Sequence, residues 1–393
     1  MNAEFKQPLD WAEIARAVSA QLAQGVVARD QTGGEADVEI DILRGSGLLT
    51  YLNPTDLGGG GGSYPGSQTI TRIIAAGDSN AAQILSYHYL LSHNAFLRAG
   101  PDQRQTLLRD SVAGRWLWGG ASNPRDAGLV LTSDGDGFRL NGAKNFASNA
   151  SVADRIVSVA EYQGARVLLA VPGSSPGISH GRDWTAFGQR RGVSGSIRFE
   201  DVTLPREALL GPFPPVAPTD PRLQLSVPLH QLYFVNLYLG TAEGALEQAR
   251  RYVSEEARPW QTSGVARASD DPYILEQFGT LSADLQASIA LADAVAHEWQ
   301  AAWQTGEALT PEHRDRVAAR IYAAKVNATR TALTVTAQIF DLLGARATAA
   351  RYGFDRFWRN VRTHSLHDPT AYKAREVANH AFHGQITPDP LYT

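Results

Sequence analysis

The sequence contains no cysteine in its 393 residues. This absence excludes disulfide bonds, thiolate zinc sites, iron–sulfur clusters and cysteine nucleophiles. The chain also lacks any apolar run long enough to cross a bilayer, so we expect no membrane-spanning helix. Lysine is scarce and forms no basic run, and the formal net charge is −4, so we expect no nucleic-acid partner.

The N-terminal stretch MNAEFKQPLDWAEIARAV does not fit a secretory signal peptide. Acidic residues come early in it, and it has no long apolar core. A chain without cysteine also fits a reducing compartment. We therefore expect a cytoplasmic location and no association with a membrane.

The hydrophobic pattern divides the chain into three regions, which we assign to residues 1–115, 116–215 and 216–393. The first has apolar residues at helical spacing, which predicts an N-terminal helical domain. The second has short β-branched runs and a DGDG turn at 134–137, which predict an antiparallel, barrel-like β domain. After the proline-rich segment 212–222 the chain is again helical, which predicts a C-terminal four-helix bundle and an α+β fold.

The C-terminal region shows five helical patterns. They span about 224–256, 270–305, 310–343, 354–365 and 370–382. Two of the longer patterns are rich in alanine and apolar on more than one face. Such wide apolar coverage predicts contacts between subunits as well as an internal core.

Five consecutive glycines occupy positions 58–62. They predict a flexible or tightly turning loop before the next helix. A phosphate-binding loop would also need a preceding strand and a Lys-Ser/Thr ending, and neither is present. We therefore assign no phosphate site to the glycines.

The stretch THSLHDPTAYK, at 363–373, carries two of the ten histidines, His364 and His367. At this spacing they could serve as acid–base catalysts. They could equally interact with the dipole at a helix C-terminus. A metal site would need a third ligand, such as Asp368 or a downstream histidine. The residues alone leave these three interpretations open.

Four stretches, in order along the chain, resemble the acyl-CoA dehydrogenase superfamily. They are WLWGGASNPRDAG (116–128), NGAKNFASNASVAD (141–154), FGQRRGVSGSIRFEDVTLPREALLG (187–211) and LLGARATAARYGFDRFWRNVRT (342–363). The resemblance implies that superfamily's fold, with a helical domain, a middle β domain beside a flavin, and a C-terminal helix bundle.

One departure from the dehydrogenases concerns their catalytic base. In those enzymes a late glutamate removes the substrate α-proton, whereas the matching stretch here reads HSLHDPTAYK and the next glutamate is Glu376. HSLHDP followed by AYK instead resembles the flavin-dependent monooxygenase branch, typified by dibenzothiophene monooxygenase. That branch implies FMN, reduced by a separate NADH-dependent flavin reductase and transferred by diffusion, O2 as co-substrate, and a homotetramer (a dimer of dimers). It implies no metal.

The same resemblance implies functional residues. The expected catalytic residues are His367, Ser148, His88 and His364, with His367 facing the flavin and His364 supporting it. The expected FMN-binding residues are Asn123, with Ser122 as the alternative, Phe146 and Ser148 at the ring, and Arg258 and Arg346 at the phosphate. Arg258 would reach the FMN of a neighbouring subunit, although either arginine could instead form a surface ion pair. Because the pocket should be apolar, we expect Tyr87, Trp118, Phe146 and Trp184 to line it, although aromatic residues are more often core.

These expectations combine into a two-component monooxygenase. Reduced FMN and O2 would form a C4a-(hydro)peroxyflavin, which must be shielded from water and whose protonation must be controlled. The first expected substrate is an organosulfur thioether, oxidised to sulfoxide or sulfone as in desulfurization. The alternatives are N-hydroxylation of an amine or amino sugar, an FAD-dependent acyl-CoA dehydrogenase with a relocated base, and a non-catalytic flavin-binding protein.

Overall fold

The computed structural model describes residues 9–213 and 221–387. Its N-terminal part is helical, as predicted. The helices are α1 (Trp11–Ala23), α2 (Val26–Thr32), α3 (Asp37–Ser46), α4 (Tyr64–Gly77), α5 (Ser79–Arg98) and α6 (Pro101–Gly114). Three of them begin after a residue whose side chain accepts hydrogen bonds from free backbone N–H groups, namely Asp10, Ser63 and Asp78.

The five-glycine segment forms a packed turn, the second of the two predicted alternatives. Gly60 N–H donates to Thr50 O at 2.9 Å, and Gly62 N–H donates to Tyr51 O at 2.8 Å. A Cβ at Gly62 would collide with the Tyr51 ring. The missing side chains therefore let this loop lie directly against the residues that precede it.

The middle region is one eight-stranded sheet. Its strands are β1 (Trp118–Ala121), β2 (Leu129–Asp134), β3 (Gly137–Lys144), β4 (Arg155–Tyr162), β5 (Ala165–Pro172), β6 (Ile178–His180), β7 (Ile197–Leu204) and β8 (Leu209–Pro212). The strand order is β6-β7-β3-β2-β4-β5-β8, and β1 pairs with β4. The β1–β4 and β2–β4 pairings are parallel and the others antiparallel, so the sheet is mixed where the sequence predicted an antiparallel one.

The C-terminal part contains the predicted helices, each ending within two residues of its expected span. They are α7 (Ser226–Glu255), α8 (Pro272–Gln304), α9 (Pro311–Leu343), α10 (Asp355–His364) and α11 (Thr370–His383). The proline-rich segment lies partly outside the described residues. Within the described residues, no helix is both long and apolar enough to cross a membrane.

Helix α7 is the central element of the molecule. It packs against α4 on one side and against α9 on the other. One apolar core therefore contains residues from both helical regions, and a second core fills one face of the sheet. A smaller cluster joins α5 to β1, β4 and β5. This arrangement brings α5, α7, α10 and the turn after β3 close together.

Candidate active site

His364 is the last residue of α10, and its ring is buried against α7. Its Nδ1 lies 2.9 Å from Tyr238 Oη, and its Nε2 lies 3.5 Å from Tyr87 Oη. The ring also meets Phe234 edge-on, with centroids 4.7 Å apart. Burial lowers the pKa of His364 well below its ordinary value, because the imidazolium would lose its hydration. His364 is therefore neutral at physiological pH.

His367 follows in the turn between α10 and α11, and its side chain is 42% exposed. Its ring lies nearly parallel to that of His364, at 10°, with centroids 5.9 Å apart. The His367 centroid is 5.0 Å from that of Phe234 and 6.5 Å from that of Tyr87. The structure thus places the two histidine rings side by side, with His364 buried and His367 partly exposed to solvent.

Asp368 is a buried carboxylate between three basic side chains. Its oxygens lie 3.9 Å from Lys325 Nζ, 3.5 Å from Lys373 Nζ and 3.6 Å from His367 Nδ1. Burial alone would raise the pKa of Asp368, but the basic neighbours outweigh that effect and hold it well below its usual range. Neither oxygen accepts a hydrogen bond within residues 9–213 and 221–387. Asp368 is therefore an anion, held mainly by charge.

Ser148 lies half-buried in the turn after β3. Its hydroxyl accepts a hydrogen bond from Ser194 Oγ at 3.3 Å, and Gln83 Nε2 donates to Ser194 Oγ at 3.3 Å. Burial raises the pKa of Tyr87 above its usual range, and a hydrogen bond with Ser148 opposes that rise. Tyr87 therefore connects Ser148 on one side with His364 on the other.

Phe146 and Trp184 form an aromatic pair near the Ser148 turn. Phe146 has a positive φ of 53° and is 68% exposed. Its ring meets that of Trp184 edge-on, with centroids 6.2 Å apart. The Trp184 indole N–H donates to Gln189 O at 2.7 Å, which fixes its ring. A large apolar residue held exposed in a disfavoured backbone conformation is typical of a binding surface.

Asn123 and Ser122 lie in the loop after β1. Asn123 Oδ1 accepts from Arg125 N–H at 3.1 Å, and its carbonyl accepts from Lys144 Nζ at 3.0 Å. Ser122 is exposed. Asn123 thus stabilises the loop after β1 through both of its oxygens.

His88 and Trp118, two of the residues expected at the site, are buried and hydrogen-bonded within the chain. His88 Nε2–H donates to Leu49 O at 2.7 Å, and His88 Nδ1 accepts from Trp118 N–H at 3.1 Å. Burial lowers the pKa of His88 to about 4. Trp118 is fully buried against Phe96, and its indole N–H donates to Ser111 Oγ at 3.3 Å. Hydrogen bonds to the backbone and packing in the core therefore account for the positions of both side chains, and flavin contact by His88 and pocket lining by Trp118 stay predictions.

Arg258 and Arg346 lie apart from the histidine pair. Arg258 follows the end of α7, and Arg346 follows the end of α9. Both are exposed, and neither guanidinium forms a hydrogen bond or ion pair with the rest of the described chain. Arg346 is close enough to Tyr252, in the last turn of α7, to influence its pKa. Both arginines therefore belong to the same end of the bundle.

Glu376, the first glutamate after the histidine pair, is buried on α11. Its carboxylate accepts from Thr387 N–H at 2.6 Å and from Thr387 Oγ1 at 3.0 Å. It also pairs with Arg375 at 2.7 Å. This carboxylate secures the chain after α11 and is not placed to act as a base.

Several members of the cluster were not predicted from the sequence. They are Phe234, Tyr238, Lys325 and Lys373. Their one sequence signal was the rarity of lysine, since only four occur in the chain and two of them flank Asp368. Tyr238 and Phe234 lie in an apolar helix, where nothing in the spacing separates them from ordinary core residues.

Comparison with known proteins identifies the family. Residues 119–202 match the middle domain of acyl-CoA dehydrogenases, and residues 232–371 match their C-terminal domain. The chain is 37% identical to the dibenzothiophene monooxygenase of Rhodococcus erythropolis over 97% of its own length and 94% of that protein. The chain belongs to the acyl-CoA dehydrogenase family, in its flavin-dependent monooxygenase branch. The fold and enzyme class expected from the sequence are confirmed.

Two further relatives agree with this assignment. The probable FMNH2-dependent monooxygenase SfnC of Pseudomonas putida is 37% identical, with both chains covered over 100% of their lengths. The solved structure of methanesulfinate monooxygenase MsuC from Pseudomonas fluorescens is 35% identical and superposes with a TM-score of 0.92. That match covers 98% of this chain and 100% of that one. Similarity therefore extends over the whole described structure.

Proposed function

We propose that this monooxygenase uses reduced FMN and O2 to oxygenate small organosulfur compounds. The names of the relatives, which include dibenzothiophene and methanesulfinate monooxygenases, support sulfur as the oxidised atom. In the proposed reaction one oxygen atom of O2 goes to sulfur. The other leaves as water, with two electrons from reduced FMN and two protons.

The residues around Ser148 fit an FMN ring. Gln83 Oε1 and Asn149 Oδ1 are buried and have no hydrogen-bond partner among the described residues. Such acceptors suit the N–H groups of a reduced isoalloxazine, because a buried acceptor without a donor is unfavourable. When bound, reduced FMN supplies the electrons that activate O2. Ser148, Phe146 and the Asn123–Ser122 loop would hold the ring.

The arginines at the end of the bundle suit the other end of the cofactor. An FMN phosphate needs charge-assisted donors, and the guanidinium groups of Arg258 and Arg346 are exposed and unpaired within the described chain. Because both lie away from Ser148, we include in the proposal that Arg258 serves the FMN of a neighbouring subunit in a homotetramer.

His364 and His367 would control proton transfer at the Ser148 end of the site, where the substrate is oxygenated. His367 is partly exposed, so a ligand can reach its ring, and an imidazole can serve as a general acid or base. Neutral His364 would stack beside His367 and would reach Ser148 through Tyr87. Phe234 and the Phe146–Trp184 pair would limit the access of water, which otherwise diverts the activated oxygen to H2O2.

The surroundings of two carboxylates, those of Glu376 and Asp368, are the observation that carries the proposal. A dehydrogenase needs a carboxylate base at the substrate α-carbon. Glu376 is held by Thr387 and Arg375, and Asp368 is a weak base because the basic groups beside it depress its pKa. Histidines occupy the position where that base is expected. This arrangement favours an oxygenase over a dehydrogenase with a relocated base.

The proposal extends to partners and location. We propose a separate NADH-dependent flavin reductase as the source of reduced FMN, transferred by diffusion, and a cytoplasmic location. The Pseudomonas putida relative, a probable FMNH2-dependent monooxygenase, supports an external supply of reduced flavin.

The test supplies FMN, NADH, a flavin reductase and O2, with dibenzothiophene, a simple aryl methyl sulfide and methanesulfinate as separate substrates. We expect sulfoxide or sulfone from a thioether, or sulfonate from the sulfinate, with about one oxygen atom added to sulfur per O2 consumed in coupled turnover. A reaction without reductase is the control. Release of H2O2 alone from all three substrates would contradict the sulfur assignment. A purified protein that retains FAD and reduces a dye with acyl-CoA would contradict the oxygenase assignment.

A further inference from the structure

Lys325, on α9, is a buried ammonium group beside the histidine pair. Its side chain is 0% exposed, and Nζ lies 3.0 Å from Tyr238 Oη. Nζ also lies over the rings of Phe234 and Tyr238, at 4.8 and 4.5 Å from their centroids. Asp368 is 3.9 Å away, beyond hydrogen-bond distance. No step proposed above uses this lysine, although burying it is costly.

The contacts of Tyr238 Oη restrict where its hydrogen can lie. The ammonium of Lys325 has donors and no acceptor, so Oη accepts from it. The carbonyl oxygen of His364, 3.1 Å from Oη, has only acceptor capacity, so this contact requires the Tyr238 O–H to donate. That carbonyl also accepts from His367 N–H, and its two lone pairs accommodate both donors.

One tautomer of His364 then satisfies every contact. The second lone pair of Tyr238 Oη is free to accept, and His364 Nδ1 lies 2.9 Å from it. If Nδ1 carries the hydrogen, Oη accepts twice and donates once, which is its full capacity. The opposite tautomer would turn the Tyr238 O–H toward Nδ1. Tyr238 Oη and the His364 carbonyl oxygen would then be in contact with no hydrogen between them. The contact of Tyr238 O–H with the His364 carbonyl therefore favours the Nδ1–H form, while the ammonium of Lys325 occupies the other lone pair of Oη.

We propose that Tyr238, held between the His364 carbonyl and Lys325, is a positioning residue that fixes His364 as the Nδ1–H tautomer and keeps its Nε2 as a proton acceptor. Nε2 faces the hydroxyl of Tyr87, which contacts Ser148 in turn. The importance of this acceptor for turnover rests on the proposed function, but the tautomer does not.

The charges around Lys325 fit this role. Burial lowers the pKa of Lys325 to about 8, Lys373 lowers it further, and Asp368 opposes both effects. The ammonium form therefore persists at neutral pH. Burial also lowers the pKa of His364, and the charges of His367 and Lys325 add to that effect, so the ring stays neutral and has a defined tautomer.

The direct test is nitrogen NMR of the full-length protein labelled with ¹⁵N-histidine, at neutral pH and without substrate. A His364→Gln variant identifies the signals of His364 by their loss. We expect the wild type to show a protonated Nδ1 and an unprotonated Nε2. Tyr238→Phe should shift His364 toward the Nε2–H form, because Nδ1–H then loses its acceptor. A wild-type Nε2–H tautomer, or an unchanged tautomer in Tyr238→Phe, would overturn the proposal.

Turnover provides a second readout. Tyr238→Phe should lower kcat for coupled product by about tenfold or more, because acid–base groups contribute at least that much, and leave KM within about twofold. Its pH–rate profile should also change shape. The substitution removes only the hydroxyl and keeps the ring in the core, and the wild-type tautomer is measured without any variant. A wild type that forms no oxygenated product contradicts the proposed function, while the NMR result still decides on Tyr238. An active wild type whose Tyr238→Phe variant keeps the same pH profile contradicts the positioning role.

Discussion

The rings of His364 and His367 lie nearly parallel, with centroids 5.9 Å apart, yet their surroundings are opposite. The His364 ring is buried and bonded to two tyrosines, whereas the His367 side chain is 42% exposed. A buried neutral ring bonded at both nitrogens suits a fixed role in a hydrogen-bond chain. An exposed ring suits proton exchange with a ligand. The two histidines are therefore expected to have separable functions.

The first prediction concerns His367→Ala. We expect coupled sulfur oxygenation to fall by about tenfold to a hundredfold, because the proton-exchanging group is lost, while NADH and O2 are still consumed. H2O2 should rise in proportion to the lost product, measured by peroxidase assay beside product chromatography. His383→Ala, at an exposed histidine at the end of α11, is the matched control and should match the wild type. An unchanged ratio of product to peroxide in His367→Ala would remove His367 from the mechanism.

The second prediction concerns His88→Ala. Both ring nitrogens bond to backbone groups of Leu49 and Trp118, so the substitution should lower the free energy of unfolding by about 2–4 kcal/mol. Urea unfolding followed by tryptophan fluorescence measures this change. At a temperature where the variant remains folded, product per O2 should stay close to wild type. A folded variant that releases mainly H2O2 would support the direct catalytic role expected from the sequence.

The sequence allowed the helical spans and the strands to be predicted because their signals are local. The limits of α9 follow from Pro311 after the capping residue Thr310 and from the glycine that ends it. The parallel pairing of β1 with β4 was not predictable in this way, because strand direction depends on contacts between distant segments.

The candidate site was predictable only in part, for a similar reason. The motif HSLHDP pointed to His364 and His367, which the structure brings beside Tyr87. Tyr87 and His88 are adjacent in the sequence, but successive residues on a helix face different directions. Tyr87 therefore reaches His364, whereas His88 reaches Leu49. The buried Lys325 carries no motif, and its role depends wholly on tertiary contacts.

The third prediction concerns Asp368→Asn. Removing the carboxylate leaves the buried Lys325 ammonium without its counter-charge, which should lower the free energy of unfolding by about 3–5 kcal/mol at neutral pH. Urea unfolding measures the loss. The control is Asp355→Asn, in a partly exposed ion pair with Arg359, and it should cost less than about 1 kcal/mol.

A second substitution separates charge from packing at this position. The double variant Asp368→Asn with Lys325→Met should recover part of the lost stability, because one uncompensated buried charge is gone. Equal destabilisation in the single and double variants would show that the cost of Asp368→Asn does not arise from the buried lysine.

The fourth prediction concerns acid stability. Burial lowers the pKa of His88 to about 4 and those of His93 and His230 to about 3. Below about pH 6.5 the unfolded chain binds protons at these residues that the folded chain does not, so stability falls as the pH falls. Each histidine should contribute a slope of about 1.4 kcal/mol per pH unit between about pH 6.5 and its folded pKa.

Urea unfolding between about pH 7 and pH 4.5 tests this dependence. His93→Gln should reduce the slope of unfolding free energy against pH by the contribution of about one proton. His383→Gln, at an exposed position, should leave the slope unchanged. An identical slope in wild type and His93→Gln would mean that His93 is protonated in the folded protein.

The last prediction concerns the two exposed arginines and the cofactor. If Arg258 and Arg346 bind the FMN phosphate, replacing either by Ala should raise the Kd for reduced FMN by about tenfold to a hundredfold. A hydrogen bond to a charged group contributes about 1.5–3 kcal/mol, which corresponds to that range. Anaerobic titration with reduced FMN measures the Kd, and repetition with riboflavin, which lacks the phosphate, should show little difference between variants and wild type. The control is Arg109→Ala, at an exposed arginine on α6. If the Arg258 and Arg346 variants weaken the binding of riboflavin as much as the binding of FMN, these residues support the fold or the ring site and do not bind the phosphate.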